Sequence, residues 1–134
     1  MVRHIPQAHA SLARGEWKRD RFQGVELHGR TLGLVGAGRI GSEVAVRARA
    51  FGMHVTVYDP YLSAEVAQQQ RFELVTLHEL LETADVISIH TPLTAETRGL
   101  IGERELAAMK PGALLVNTAR GPVVDEADRK STRL

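Results

Sequence analysis

Residues 36–41 read GAGRIG, so Gly36, Gly38 and Gly41 stand in the G-x-G-x-x-G spacing. Each glycine answers a different steric demand of a phosphate-binding turn. Gly36 permits a tight turn after a strand, Gly38 lets the backbone approach a pyrophosphate, and Gly41 lets the following helix pack closely on the sheet. A helix that begins there points free N–H groups and the positive end of its dipole at the phosphates. Asp59 lies 18 residues beyond Gly41, close to the ~20 at which an acid meets a ribose in such sites. Its carboxylate can accept both ribose hydroxyls and repels a 2′-phosphate, so the expected ligand is NAD rather than NADP. Three glycines alone would serve equally well as a connecting turn. The context separates the readings: a strand before, a helix after, and the acid at the end of the next strand.

Two further segments carry polar residues where strands are expected to end, HTPLT (90–94) and NTARG (117–121). In open α/β sheets, ligands lie outside the carboxyl ends of the strands. Thr91 and Thr118 can hydrogen-bond a cofactor there, while Pro92 and Ala119 leave room for it. Pro60, directly after Asp59, is assigned to the same cofactor site. His90 is read as shaping the pocket rather than as the catalytic acid–base. His4, His9, His28, His54 and His78 show no metal-ligand spacing, so no metal is expected. Arg120 follows an apolar run and precedes Gly121-Pro122, which should bring its side chain out at the ligand-bearing end. A guanidinium there can clamp a carboxylate bidentately and polarise a neighbouring carbonyl. An ordinary ion-pair role fits the local pattern equally well.

These residues need a scaffold that gathers several strand ends. TLGLVG (31–36) reads as a buried strand, and RIGSEVAVRARAFG (39–52) as a helix with apolar positions recurring at Ile40, Val44, Ala48 and Phe51. HVTVYD (54–59) and FELV (72–75) read as strands, separated by a polar helical link around AEVAQQQ. LHELLETA (77–84) is helical, DVISIHT (85–91) a strand, ERELAAMK (103–110) a helix stopped by Pro111-Gly112, and ALLVNT (113–118) a buried strand. Strands alternating with helices imply crossovers and a mostly parallel sheet. Runs such as ALLV fit a sheet covered on both faces. Ahead of all this, residues 5–22 start partway through a helical pattern, with Ala8, Leu12, Trp17 and Phe22 as apolar anchors and Gly15 as a break.

With 134 residues, 43% hydrophobic and 25% charged, the chain has the balance of one globular domain. The formal net charge of +1 argues against nucleic acid or an anionic membrane as the main partner. The chain contains no cysteine, which rules out a disulfide framework and fits a reducing, cytoplasmic setting. No apolar run approaches the ~20 residues of a membrane span.

IPQAHASLARGEW, GRTLGLVGAGRIG, AFGMHVTVYDPY, ADVISIHTPLTAETRGLI and MKPGALLVNTARGPVVDE together resemble the D-isomer-specific 2-hydroxyacid dehydrogenases, from about residue 4 to residue 127. The likeness is greatest to the bacterial members that oxidise 3-phosphoglycerate at the start of serine synthesis. It implies a Rossmann-type doubly wound parallel sheet and NAD-linked oxidation of a 2-hydroxy acid to a 2-oxo acid. It also implies a homo-oligomer, dimeric or tetrameric, with NAD and a small 2-hydroxy or 2-oxo acid as ligands. Carried over by position, Arg39 and Ile40 lie at the pyrophosphate and Asp59 at the adenosine ribose. Thr91 and Thr118–Ala119–Arg120 line the nicotinamide side, and Arg120 takes the substrate carboxylate. A non-catalytic NAD-sensing module is the alternative, since corepressors similar to this family use the fold for binding.

The resemblance also sets expectations for the two ends. Residues 1–30 correspond to an interdomain helix and linker, with Met1 fitting an internal methionine, and residues 31–127 to an incomplete NAD-binding domain. The family's acid–base histidine, its orienting glutamate and its substrate domain are expected to be absent, leaving the chain alone inactive. DRKSTRL (128–134) is the translation of GAT CGG AAG AGC ACA CGT CTG, the opening of a common sequencing adapter. Those residues are therefore expected to be read-through rather than native sequence.

Overall fold

The structure, a computed structural model, describes residues 4–125; the 128–134 segment singled out above lies outside the described residues. Five strands, β1 (Thr31–Val35), β2 (His54–Tyr58), β3 (Glu73–Leu74), β4 (Val86–Ile89) and β5 (Leu114–Asn117), form one sheet in the order β3-β2-β1-β4-β5. Every pairing is parallel, and β1 sits at the centre, with Val35 opposite both Tyr58 and Ile89. The chain moves outward from β1 to β3, then returns to the other side of β1 for β4 and β5. This is the doubly wound topology expected, and it leaves a crevice where the strand order reverses.

Helices cover both faces. α2 (Arg39–Ala50) and α3 (Ala64–Gln69) pack on one, burying Ala45, Ala48 and Ala67 against Leu32, Leu34, Val55 and Val57. α4 (Leu77–Thr83) and α5 (Glu103–Ala108) cover the other, with Leu80, Leu81 and Leu106 against Val35, Ile87 and Ile89. Gly33 explains how close α4 comes. A Cβ there would lie 2.5 Å from Leu80 Cδ2 and 3.0 Å from the Ala84 methyl. β1 therefore carries leucines toward α2 and nothing at Gly33 toward α4, which fixes the spacing of the two layers.

Two expectations are corrected in detail. Of the apolar stripe read on α2, Ala48 is buried and Val44 half-buried, whereas Ile40 and Phe51 are exposed; the inward face is Gly41, Ala45 and Ala48. Only small residues let helix backbone approach sheet backbone this closely, so side-chain size rather than hydrophobicity sets the face. β5 is half-buried along Leu114–Val116 and forms a sheet edge among the described residues. Ahead of the sheet, α1 (Ile5–Ala13) ends before Gly15, whose φ of +76° breaks the helix, and a 3-10 turn follows at Arg19–Phe22. Leu12 and Trp17 are exposed rather than anchored.

At the amino ends of the strands, Asp85 joins β1, β4 and β5. Its Oδ2 accepts the Thr31 N–H (2.9 Å), its own N–H donates to Thr31 O (2.9 Å), and its carbonyl accepts Leu114 N–H (3.0 Å). Lys110 Nζ (3.3 Å) and Arg30 (3.9 Å) face Oδ1. The Thr31 N–H, then Lys110 and Arg30, hold this carboxyl below the usual aspartate range against the opposing pull of burial.

Two outcomes are expected. Gly33→Ala overpacks the β1–α4 contact and costs about 1–3 kcal/mol, read as a lowered urea midpoint. Asp85→Ala costs about 1–2 kcal/mol near neutral pH, because it orphans the Thr31 N–H and the two cations. The folded-state pKa of Asp85 is depressed, so its ionised contribution is complete above the unfolded aspartate value of about 4. It is lost as pH falls through the lower folded value, and urea titrations at descending pH should show the gap between wild type and variant narrowing there.

Candidate functional site

β1 delivers the chain to the crevice at Val35, and Gly36 turns it. The Gly36 φ of +93° lies in the left-handed region that favours glycine, and a Cβ there would crowd Thr91 Cγ2 (3.0 Å) and the His90 carbonyl carbon (3.1 Å). Gly36 N–H donates to Tyr58 O (2.9 Å) and His90 N–H to Val35 O (2.8 Å), so the ends of β1, β2 and β4 converge on this turn. Gly41, in the first turn of α2, lies over it; a Cβ there would collide with the Gly36 carbonyl oxygen. Gly38 differs from both. No heavy atom lies within 4 Å of its would-be Cβ, and its φ of −65° strains no residue type. The fold itself therefore does not require glycine at 38.

The start of α2 is left open. Ser63 caps α3, Thr76 and Glu79 form a reciprocal capping box on α4, and Glu105 accepts the Gly102 N–H (3.1 Å) at α5. α2 has Gly38 as its N-cap and no side-chain cap. Its first-turn N–H groups, at Arg39, Ile40 and Gly41, have no carbonyl one turn earlier within the helix to pair with. Ser42 Oγ instead donates to Ala37 O (2.8 Å), bracing the turn from the helix side. Arg39 and Ile40 are exposed beside it.

Asp59, at the end of β2, does more than was expected of it. Its Oδ2 accepts the Ala37 N–H at 2.9 Å, inside the glycine turn, and its Oδ1 accepts the Tyr61 N–H at 3.0 Å. A carboxylate offers about four lone-pair sites, so each oxygen keeps capacity for a ribose hydroxyl. Pro60 follows it, exposed.

On the other side of the crevice, β4 ends at His90–Thr91–Pro92. His90 Nε2 and Ser88 Oγ lie 2.9 Å apart, and burial pushes the imidazole pKa down, so this is a neutral ring packed behind the turn. Thr91 Oγ1 is buried and has no hydrogen-bond partner among the described residues. An orphaned buried hydroxyl costs about 1–3 kcal/mol. Thr56 Oγ1, inside β2, is likewise without a partner among the described residues, but only Thr91 stands at a strand end on the crevice, where a ligand atom could satisfy it. Pro92 is exposed, and its carbonyl accepts Thr97 Oγ1–H (2.6 Å), which pins the following loop.

Ile89 pairs with Asn117, so β5 releases Thr118, Ala119 and Arg120 beside the end of β4. Arg120 is exposed and forms no ion pair among the described residues; its NH1 donates to Ala119 O (2.8 Å). The structural ion-pair reading of this arginine therefore has no partner here. Sequence reasoning passed over Asn117, Ser42 and Ser88. An Asx-turn signal was legible at Asn117, two residues before Ala119; the two serines carry no comparable sequence mark.

Open glycine turn, uncapped α2, acid and orphaned threonine together fit a dinucleotide with its pyrophosphate at the helix terminus. Another concavity of about 410 Å³, lined by residues including Val25, Leu27 and Leu114, lies at the opposite, amino ends of β4 and β5. It offers neither a helix start nor an orphaned polar atom. Among the described residues no group of three or more His, Asp or Glu could hold a metal, and no helix is long and apolar enough to cross a membrane.

Comparison with known proteins agrees with this geometry. Residues 1–129 match the family model described as D-isomer specific 2-hydroxyacid dehydrogenase, NAD binding domain. The D-3-phosphoglycerate dehydrogenase of Methanocaldococcus jannaschii is 54% identical over 126 residues, and that of Bacillus subtilis is 53% identical over 127. The alignments cover 93% and 95% of this chain but 24% of each relative, so the chain spans about a quarter of their length. The apo-structure of D-lactate dehydrogenase from Escherichia coli superposes with a TM-score of 0.87 at 34% identity, covering 97% of this chain and 41% of that one. With a doubly wound sheet and a family match along nearly its whole length, the chain belongs to the D-isomer specific 2-hydroxyacid dehydrogenases, as their NAD binding domain.

Proposed function

We propose that this chain is the NAD-binding part of an oxidoreductase that oxidises a D-2-hydroxy acid to the 2-oxo acid. The observation that carries the reading is the uncapped start of α2 beside Gly38, whose missing side chain would meet nothing in the protein itself. In this proposal the N–H groups of Arg39, Ile40 and Gly41 bind the pyrophosphate, with the turn at Gly36 and Gly38 allowing its approach. Asp59 accepts the adenosine ribose hydroxyls while its bond to Ala37 N–H keeps the turn in register. Pro60 borders that end. Thr91 Oγ1, Pro92, Thr118 and Ala119 line the nicotinamide end, and His90 backs the turn as a neutral ring. NAD, when bound, supplies the hydride acceptor. Arg120 holds the substrate carboxylate and so orients the C2–H bond, a positioning effect that does not need the arginine to change protonation state.

The substrate we favour is 3-phosphoglycerate, on the strength of relatives named D-3-phosphoglycerate dehydrogenase, which would place the reaction in serine biosynthesis. A homo-oligomer is the working form we infer, with the exposed Ile5, Leu12 and Trp17 as apolar surface in keeping with it. No described residue is assigned as the proton acceptor. NADH binding, rather than turnover, is therefore the readout that bears on the described residues.

Fluorescence titration with NADH tests the reading. Gly38→Val should weaken NADH binding at least ~100-fold, about 2.7 kcal/mol, while shifting the thermal midpoint by less than about 3 °C. Equal NADH affinity in wild type and Gly38→Val would exclude the turn as the phosphate site. Asp59→Ala should weaken NADH about tenfold and reduce discrimination against NADPH, because a charged acceptor of two hydroxyls becomes a methyl group. An unchanged NADH-to-NADPH ratio would remove Asp59 from the ribose.

A further inference from the structure

Asn117 is the last residue of β5, and its exposed side chain spends both halves of its amide on the next three residues. Oδ1 accepts the Ala119 N–H at 3.0 Å, and Nδ2 donates to the Arg120 carbonyl at 2.9 Å. That carbonyl also accepts the Val123 N–H at 3.2 Å, so both its lone pairs are used. The Ala119 carbonyl in turn accepts the Arg120 guanidinium. Arg120 is thus held at its backbone by a side chain anchored in the sheet and by the 3-10 turn that follows, while its guanidinium is held over the same small loop.

The far side of the loop is fixed independently. Gly99 N–H donates to Pro122 O (2.9 Å), Ile101 N–H to Val123 O (3.1 Å) and Asp125 N–H to Ile101 O (2.9 Å). Ile101 and Val123 are fully buried beneath this short parallel clasp. Residues 121–125 are therefore tied to the loop that leaves β4, and Asn117 ties residues 118–120 to β5. Between these two fixed points Arg120 is the one long cation, and it has no ion-pair partner among the described residues. Left to itself, a side chain with ~2 kcal/mol of rotamer entropy would sample much of the surface.

We infer that Asn117 is a positioning residue: its amide closes the 118–120 turn and thereby aims the Arg120 guanidinium for a carboxylate, without itself touching substrate or cofactor. The inference rests on the proposed role of Arg120. Asn117 suits the task because one amide can serve an N–H and a C=O at once. Serine keeps a weaker acceptor for Ala119 N–H and cannot reach the Arg120 carbonyl.

Two readouts on the 134-residue chain separate this inference from the reading beneath it. The first is NMR of the free chain. In Asn117→Ala the Ala119 amide should exchange at least ~10-fold faster and the Arg120 Nε–H signal should lose its order, while Leu115 and Val116 amides keep their protection. Asn117→Ser should fall between the two. Unchanged Ala119 exchange and an equally ordered Arg120 in Asn117→Ala would overturn the inference, whatever Arg120 binds. The second is calorimetric titration of the NADH-loaded chain with oxalate, a small dicarboxylate standing for the 2-oxo acid. Asn117→Ala should weaken oxalate about 10- to 100-fold and leave NADH affinity within about twofold, with Asn117→Ser partly restoring it. Oxalate affinity unchanged in Asn117→Ala but lost in Arg120→Ala would overturn the inference and leave the carboxylate clamp standing. Oxalate affinity the same in Arg120→Ala as in wild type would overturn the clamp itself, and with it the purpose assigned to Asn117.

Discussion

The closest constraint in the molecule is backbone against backbone, where the first turn of α2 passes over the Gly36 carbonyl. Gly41 has no space for even a methyl group there, and the rest of the crevice depends on that approach. Because the helix starts so near the end of β1, its unpaired N–H groups open directly onto the turn rather than into solvent. Because the helix continues down the sheet at the same short distance, its inward face must stay small, as Ala45 and Ala48 are. The turn is then braced from three sides: Ser42 on the Ala37 carbonyl, Asp59 on the Ala37 N–H, and the His90 backbone on Val35.

Much of this was legible in the residues. The strand–helix alternation gave the parallel sheet, and glycine spacing with an acid at the next strand end marked the turn. The order of strands was not readable from any local pattern; it came with the resemblance. The inward face of α2 was misjudged because periodicity weighs hydrophobicity, and Ile40 and Phe51 outweigh glycine and alanine on that scale. Close helix–sheet contact selects for size instead. The double use of Asp59 was likewise invisible, since its bond to Ala37 spans 22 positions of sequence and exists only once β1 and β2 are paired.

The two walls of the crevice are built differently. The β1–β2 wall, with the glycine turn and Asp59, is backbone geometry secured by short bonds. The β4–β5 wall offers side chains on loops: the orphaned Thr91 hydroxyl and Arg120 on its amide-closed turn. In the proposed reading, the first wall would meet the part of the ligand that is always the same. The second wall would meet the half that varies, on loops, the parts of a fold that change most freely between relatives.

The sheet's two rims are unequal, and that has a bearing on handling the molecule in the laboratory. β3 is only two residues long, Glu73 and Leu74, and gives an incoming strand little to zip against. β5 offers four residues with an outer row of main-chain donors and acceptors that no other described strand engages. A run of open strand edge of this kind is a template for further pairing, and a lysine introduced into that strand is the usual way to blunt it.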